Sequence, residues 1–208
     1  MRWLPSPLAV YAAVALLSTG CTQWMTGVAV HGPDGATPGT LTADRVLLSQ
    51  EKMQAITGAG TDLTIIPGMN TTSPIDDEGL AVTVPSECRF MFAETAIFGT
   101  DFTDFRKTVF QYPPRGALIS EAAAVYPDPG AAQQAFDAFA DSLTACGNSS
   151  SAALLGEWSV GPDRARTRPR DCGRDYRLKG VVLFEVVSCG LPASVADIVI
   201  ANMADHTG

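Results

Sequence analysis

The chain has 208 residues, a formal net charge of −8 and 46% hydrophobic residues, enough for one globular domain with a buried core. The acidic balance argues against nucleic acid as a main partner, because binding phosphate backbones needs a cationic surface. With two histidines, His31 and His206, near the ends of the mature chain and no CxxC pair, neither a metal site nor a cofactor is expected.

Residues 1–20 read as a secretory signal. One cation, Arg2, leads into an apolar run from Leu8 to Leu17, and Ser18-Thr19-Gly20 precede Cys21. The run is well short of the ~20 residues a spanning helix needs. It resembles the bacterial lipoprotein signal, in which the cysteine takes a diacylglycerol thioether and becomes the mature N-terminus, although Ser18 stands where that signal usually has Leu. The resemblance implies a chain held on the extracytoplasmic face of the cell membrane by acyl chains such as palmitate on Cys21. Each methylene buried in the bilayer contributes ~0.8 kcal/mol. The plainer alternative is an ordinary secreted protein in which Cys21 is incidental. Residues 21–42, rich in Gly, Thr and Pro, read as a flexible tether, and residues 43–208 as the domain it carries.

A first helix is predicted from a cap at Thr42 or Asp44 to about Ile56, stopped by Gly58. Residues 58–87 read as irregular loop with one short strand. From Cys88 the pattern predicts strands, first around Phe90, Phe92 and 96–98, then over 108–112, closed by Pro113-Pro114. A third, long strand spans 117–126. Asp128-Pro129 opens a second helix, since Asp accepts free amide hydrogens and Pro suits the first helical position. Its predicted core face is Ala132, Ala135, Phe136, Phe139, Leu143 and Cys146, and Gly147 ends it. Strands follow over 157–160 and 164–170, then a hairpin of 172–178 and 181–189 turning at Lys179-Gly180. A capping box, Ser194 with Asp197, opens a last helix through Val195, Ile198, Val199 and Met203. These elements make an α+β domain, an antiparallel sheet on which helices pack.

Besides Cys21 there are four cysteines, an even number in an exported chain, which reads as two disulfides. Facing residues in a hairpin have position numbers of constant sum, and the predicted turn puts Cys172 opposite Cys189 to within about one residue. Three connectivities are possible in principle; this register leaves Cys88 to pair with Cys146. On chain-entropy estimates the longer loop contributes ~4 kcal/mol and the shorter ~3 kcal/mol.

The order of these parts resembles a known family. Cys88 stands before an aromatic region, the 117–126 strand leads into a helix ending on Cys146, and a strand with Trp158 follows. Cys172, a hairpin, Cys189-Gly190 and a closing helix over 195–203 complete the series. This is similar to the extracellular sensor domain of mycobacterial PknH-type serine/threonine kinases, a domain that also occurs alone in lipoproteins. The resemblance spans about residues 43–206. It implies a twisted antiparallel sheet with packed helices around a cleft, and two disulfides. No kinase is expected in this chain, which lacks a Gly-rich phosphate loop, an HRD and a DFG.

One constellation stands out. Seven of the 14 basic residues fall within 164–179 against two aspartates, a local balance of +5 that leaves −13 for the remainder. Arg164, Arg166, Arg168 and Arg170 recur with period two, which on a strand places them on one face. Such a row is a candidate anion-binding face, since guanidinium groups clasp phosphate or carboxylate in bidentate fashion. A solvated strand face or a protected sheet edge is the alternative. A binding face would border the main concavity, with most of its arginines lacking carboxylate partners. Among the aromatics Phe90, Phe92, Phe98, Phe102, Phe105, Phe110 and Tyr112, most should fill the core, with Phe102 or Phe105 a candidate for lining a cleft. No GxSxG, no HExxH and no central histidine supports catalysis, and Asp101, Asp104, Glu121 and Glu185 are expected as solvated charges. The expectation is a non-enzymatic sensor or ligand-binding lipoprotein for a small molecule or envelope component. The alternative is a module that docks on an envelope protein such as a kinase ectodomain or a transporter.

Overall fold

The computed structural model describes residues 41–170 and 172–207. The signal segment, Cys21 and the tether up to residue 40 lie outside the described residues. Seven strands form one antiparallel sheet: β1 (Thr64–Ile65), β2 (Asp104–Tyr112), β3 (Ala117–Val125), β4 (Glu157–Val160), β5 (Arg164–Arg168), β6 (Cys172–Lys179) and β7 (Val182–Cys189). Their spatial order is β1-β2-β3-β7-β6-β5-β4. The long central strand β3 is buried along almost its whole length because helices cover both faces.

On one face lies α5 (Pro129–Gly147), whose Phe136, Phe139, Leu143 and Cys146 pack over the sheet. Its start is as the sequence predicts: Asp128 accepts a hydrogen bond from the Ala131 amide and Pro129 occupies the first turn. It ends on Gly147 as predicted, with Asn148 in the capping position. Gly147 also makes room for packing, since a Cβ there would come within 2.2 Å of the Trp158 ring.

The same face carries the largest departure from the predicted elements. Residues 86–98 form no strand: Ser86–Met91 is a 3₁₀ stretch and α4 (Thr95–Phe98) a single helical turn. The alternation of Cys88, Phe90 and Phe92 suggested a strand, but Met91, Ala93, Ile97 and Phe98 are buried too, which no two-fold period satisfies. The segment is pinned beneath α5 by the Cys88–Cys146 disulfide and by the edge-on contact of Phe90 with Phe139 at 5.4 Å.

The other face is covered by α6 (Ala193–Asp205) and by two short helices, α1 (Ala43–Val46) and α2 (Gln50–Thr57). The single helix predicted over this N-terminal stretch is broken at Leu47, which is extended (φ −67°, ψ 154°). The break frees the Leu48 amide to donate to the Glu121 carboxylate on β3, and Ser49 then caps α2. Gly58 ends α2 in the left-handed conformation (φ 66°), as predicted. In α6 the expected capping box does not form. Pro192 occupies the cap position without a side-chain bond, and Asp197 turns to Arg166. Its buried stripe includes Ile200, whereas Ile198 is 45% exposed.

The β6–β7 hairpin turns at Gly180-Val181, one residue later than predicted, with Gly180 at φ 59°. Cys172 and Cys189 are directly opposed in this register and joined, with Cα atoms 4.1 Å apart. β2 begins at Asp104, four residues before its predicted start, because Arg106 and Lys107 find acidic partners on the two faces. None of the helices described is long and apolar enough to cross a membrane.

Candidate functional site

The registers of β2, β3, β7 and β6 align Lys107, Ala122, Glu185 and Tyr176 in one row on the α5 face, with Val109, Ser120, Val187 and Arg174 in the next. The central strand contributes the small side chains of Ser120 and Ala122 here, with Leu118 beyond them. The Ser86–Met91 segment passes over the sheet near these small residues, leaving a cavity of about 250 Å³. Its polar floor is Ser120, Lys107, Glu185, Arg174 and Glu94. Its walls include Phe90, Phe92, Met91, Val109, Leu118 and Val187, and the exposed Met69, Ile75 and Asp77 stand at the mouth.

The charges in the floor are held from several directions. Lys107 pairs with Glu94, and the second Glu94 oxygen accepts the Ile75 amide at 2.9 Å. Arg174 donates to the Met91 carbonyl at 2.8 Å, which ties the sheet to the cavity wall, and lies 3.8 Å from Glu185 Oε1. Glu185 is 2% exposed, and its Oε1 has no hydrogen-bond partner. Burial pushes the Glu185 carboxyl above its usual range, while the nearby Arg174 guanidinium works against that shift. Burial likewise raises the neighbouring Tyr176 phenol, the Glu185 charge adds to the shift, and the Arg174 guanidinium beside it opposes it. A buried polar atom without a partner is costly, and such atoms beside a cavity are where a ligand makes its bonds.

On the opposite face, Arg164, Arg166 and Arg168 do share one side of β5, alternating with buried Ala165 and Thr167. Arg170 lies past the strand at φ 49°, after Pro169 has ended the alternation. Arg164 and Arg166 border a larger groove of about 580 Å³ between α6 and the β4–β6 end of the sheet. Carboxylates already occupy the row, contrary to the expectation for a binding face. Arg166 meets Asp197 at 2.8 Å and Asp175 at 3.3 Å, Arg168 meets Asp175 at 2.8 Å, and Arg164 lies 3.6 Å from Asp163. Asp175 is buried, so two of the arginines serve to neutralise it and to clamp α6 to the sheet.

Glu121 and Glu185, expected in solvent, are both buried, and they lie on opposite faces of the sheet. Burial raises the Glu121 carboxyl from 4.5 to about 8, opposed by its bond from the Leu48 amide. Asp104 accepts the Ala43 amide at 2.8 Å and so seats α1. Phe105 is wholly buried and Phe102 packs against it in the core, while Phe90 and Phe92 line the cavity instead. Glu94, Lys107 and Arg174 escaped the sequence reading as a group, because they come from separate elements. A readable sign did exist: Glu121 and Glu185 are lone charges inside strongly apolar strands. Among the described residues no cluster of His, Cys, Asp and Glu is arranged to hold a metal ion.

The model of the PknH-like extracellular domain family matches residues 38–206. The chain belongs to that family. A solved structure of the same fold is the extracellular domain of PknH from Mycobacterium tuberculosis, with a TM-score of 0.58 and 15% identity over 78% of this chain and 93% of that one. No protein of curated function matches the chain. This PknH-like domain is therefore an extracytoplasmic one, an α+β fold with two disulfides. At such low identity the likeness to PknH speaks for the shared fold.

Proposed function

We propose that the chain is a membrane-anchored, non-enzymatic sensor lipoprotein that captures a small molecule or envelope component in the cavity on the α5 face. The observation that carries this reading is the buried Glu185 carboxylate, one of its oxygens without a hydrogen-bond partner, in the floor of an apolar-walled cavity. Family membership supports the extracytoplasmic side, and the cysteine after the apolar run supports an anchor at Cys21. The groove beside the arginine row is the weaker candidate, since Arg164 and Arg166 already have carboxylates there. A non-enzymatic role fits a floor whose two carboxylates are each beside a cation, with no nucleophile and base in contact.

The test is to screen the purified protein against envelope lipid and glycan extracts by native mass spectrometry, beside a Leu118→Trp variant that fills the cavity. A species retained by the wild type and lost in the variant is the expected result. Equal retention by both, or none by either, would refute this site. In the same cells, Cys21→Ala should abolish acyl labelling and release the protein from membranes. Retention without label would place the anchor elsewhere.

A further inference from the structure

We propose that the cavity takes the uncharged, hydroxyl-bearing head of an amphiphile whose aliphatic chain leaves across Met69 and Ile75. This deepens the ligand-binding reading above and rests on it. Three observations lead to it.

The first is size. A cavity of about 250 Å³ falls below the about 300–1,000 Å³ that encloses a whole drug-sized ligand, so it holds one end of a larger molecule. The second is the charge of the floor. Lys107 and Arg174 face Glu94 and Glu185, so the buried ionised set of the floor is balanced, and the third carboxylate of the lining, Asp77, is exposed and accepts the Leu80 amide as the cap of α3 (Glu78–Ala81). An anionic head would meet Glu94 and Glu185 with no free cation to receive it. A cationic head would be desolvated beside Lys107 and Arg174. A hydroxyl escapes both penalties, because it donates to the Glu185 carboxylate, which lines the cavity, and accepts from a neighbouring donor without adding charge. The third is the mouth. Met69 and Ile75 are 44% and 46% exposed, continuing the apolar wall of Met91, Phe92 and Val109 outward to solvent. Their backbone is not loose: Thr71 pairs with Lys107, and Asp76 with Ala93, so the apolar rim is held in place over the cavity. An aliphatic chain laid there would cover the rim.

A sugar and a glycerol both supply such a head, and chain-matched probes separate them. Calorimetric titration of the full chain carrying Cys21→Ser would compare hexyl β-glucoside, 1-O-hexylglycerol, hexyl phosphate and hexyltrimethylammonium, all as monomers. Saturable binding of one or both uncharged probes is expected, with the charged pair at least tenfold weaker. The tighter of the uncharged two identifies the head. Leu118→Trp should weaken binding at least tenfold, and the exposed Ile75→Ser, which leaves the core intact, at least threefold. A charged probe binding as tightly as the uncharged ones, and lost in Leu118→Trp, would overturn the assigned head but leave the site standing. Saturable binding insensitive to both variants would overturn the site as well. If no hexyl probe binds while the extract screen still yields a cavity-dependent ligand, the amphiphile class is wrong and the ligand-binding reading survives.

Discussion

Each face of the sheet buries one glutamate near its middle, and the two are held by different means. Glu121, beneath the α1–α2 break, accepts the Leu48 amide on both oxygens, at 3.1 and 3.0 Å, and is enclosed by apolar side chains. Glu185, on the α5 face, sits in a network with Arg174, Tyr176, Lys107 and Glu94 and borders a cavity. The first carboxyl is a fastening for the N-terminal helices, and burial holds it in the neutral form at neutral pH. The second is surrounded by cations that favour its charged form while burial opposes it. One strand pair thus carries both a latch and a polar floor, and the side-chain alternation of β3 and β7 keeps them apart.

Removing each glutamate should expose this difference. Glu185→Ala leaves the half-buried Arg174 without its nearest counter-charge; breaking a fully buried pair costs ~3–5 kcal/mol, and a loss at the lower end of that range is expected here. Replacing both partners, Glu185→Leu with Arg174→Met, should recover most of that loss in urea denaturation. If the double variant is as unstable as the single one, the pair is not the source of the cost.

Glu121 should behave in the opposite sense, through pH. Its folded carboxyl titrates at about 8, above the ordinary 4.5, so between these values the folded state keeps a proton that the unfolded chain releases. Its contribution is fully present below pH 4.5 and is lost as pH rises through 8, an effect on the order of a few kcal/mol. Glu121→Gln keeps an acceptor for Leu48 and removes the titration. Stability measured at pH 5 and pH 8 should therefore fall less in the variant than in the wild type. The raised Glu185 carboxyl acts with the same sign, so some slope should remain. Equal slopes in variant and wild type would mean that Glu121 does not titrate in this window.

The smallest effect should come from the arginine row. Arg166→Ala removes a half-exposed pair with Asp197 and leaves Arg168 on Asp175, so a loss under ~1 kcal/mol is expected. A loss approaching that of Glu185→Ala would give this face a buried network like the other.

Where short-range rules operate, the residues alone were sufficient. Asp128-Pro129 places the start of α5, because capping and a preset φ act within one turn. The alternating texture of 172–189 sets a hairpin register in which Cys172 faces Cys189, and the remaining cysteines then have only each other. The order of strands and helices, and hence the α+β class, follows from the same local periods. Contacts between distant segments decided the rest. Residues 86–98 coil under α5 because burial on several sides outweighs an alternating pattern that suited a strand. The N-terminal helix breaks at Leu47 because a carboxylate 73 positions away takes the Leu48 amide. Glu94, Lys107, Arg174 and Glu185 meet only when the sheet closes in the order β2-β3-β7-β6 and the 86–94 segment folds over it. Periodicity reports which side of its own element a residue occupies; which charges share that side is set by strand order, and strand order is a property of the whole chain.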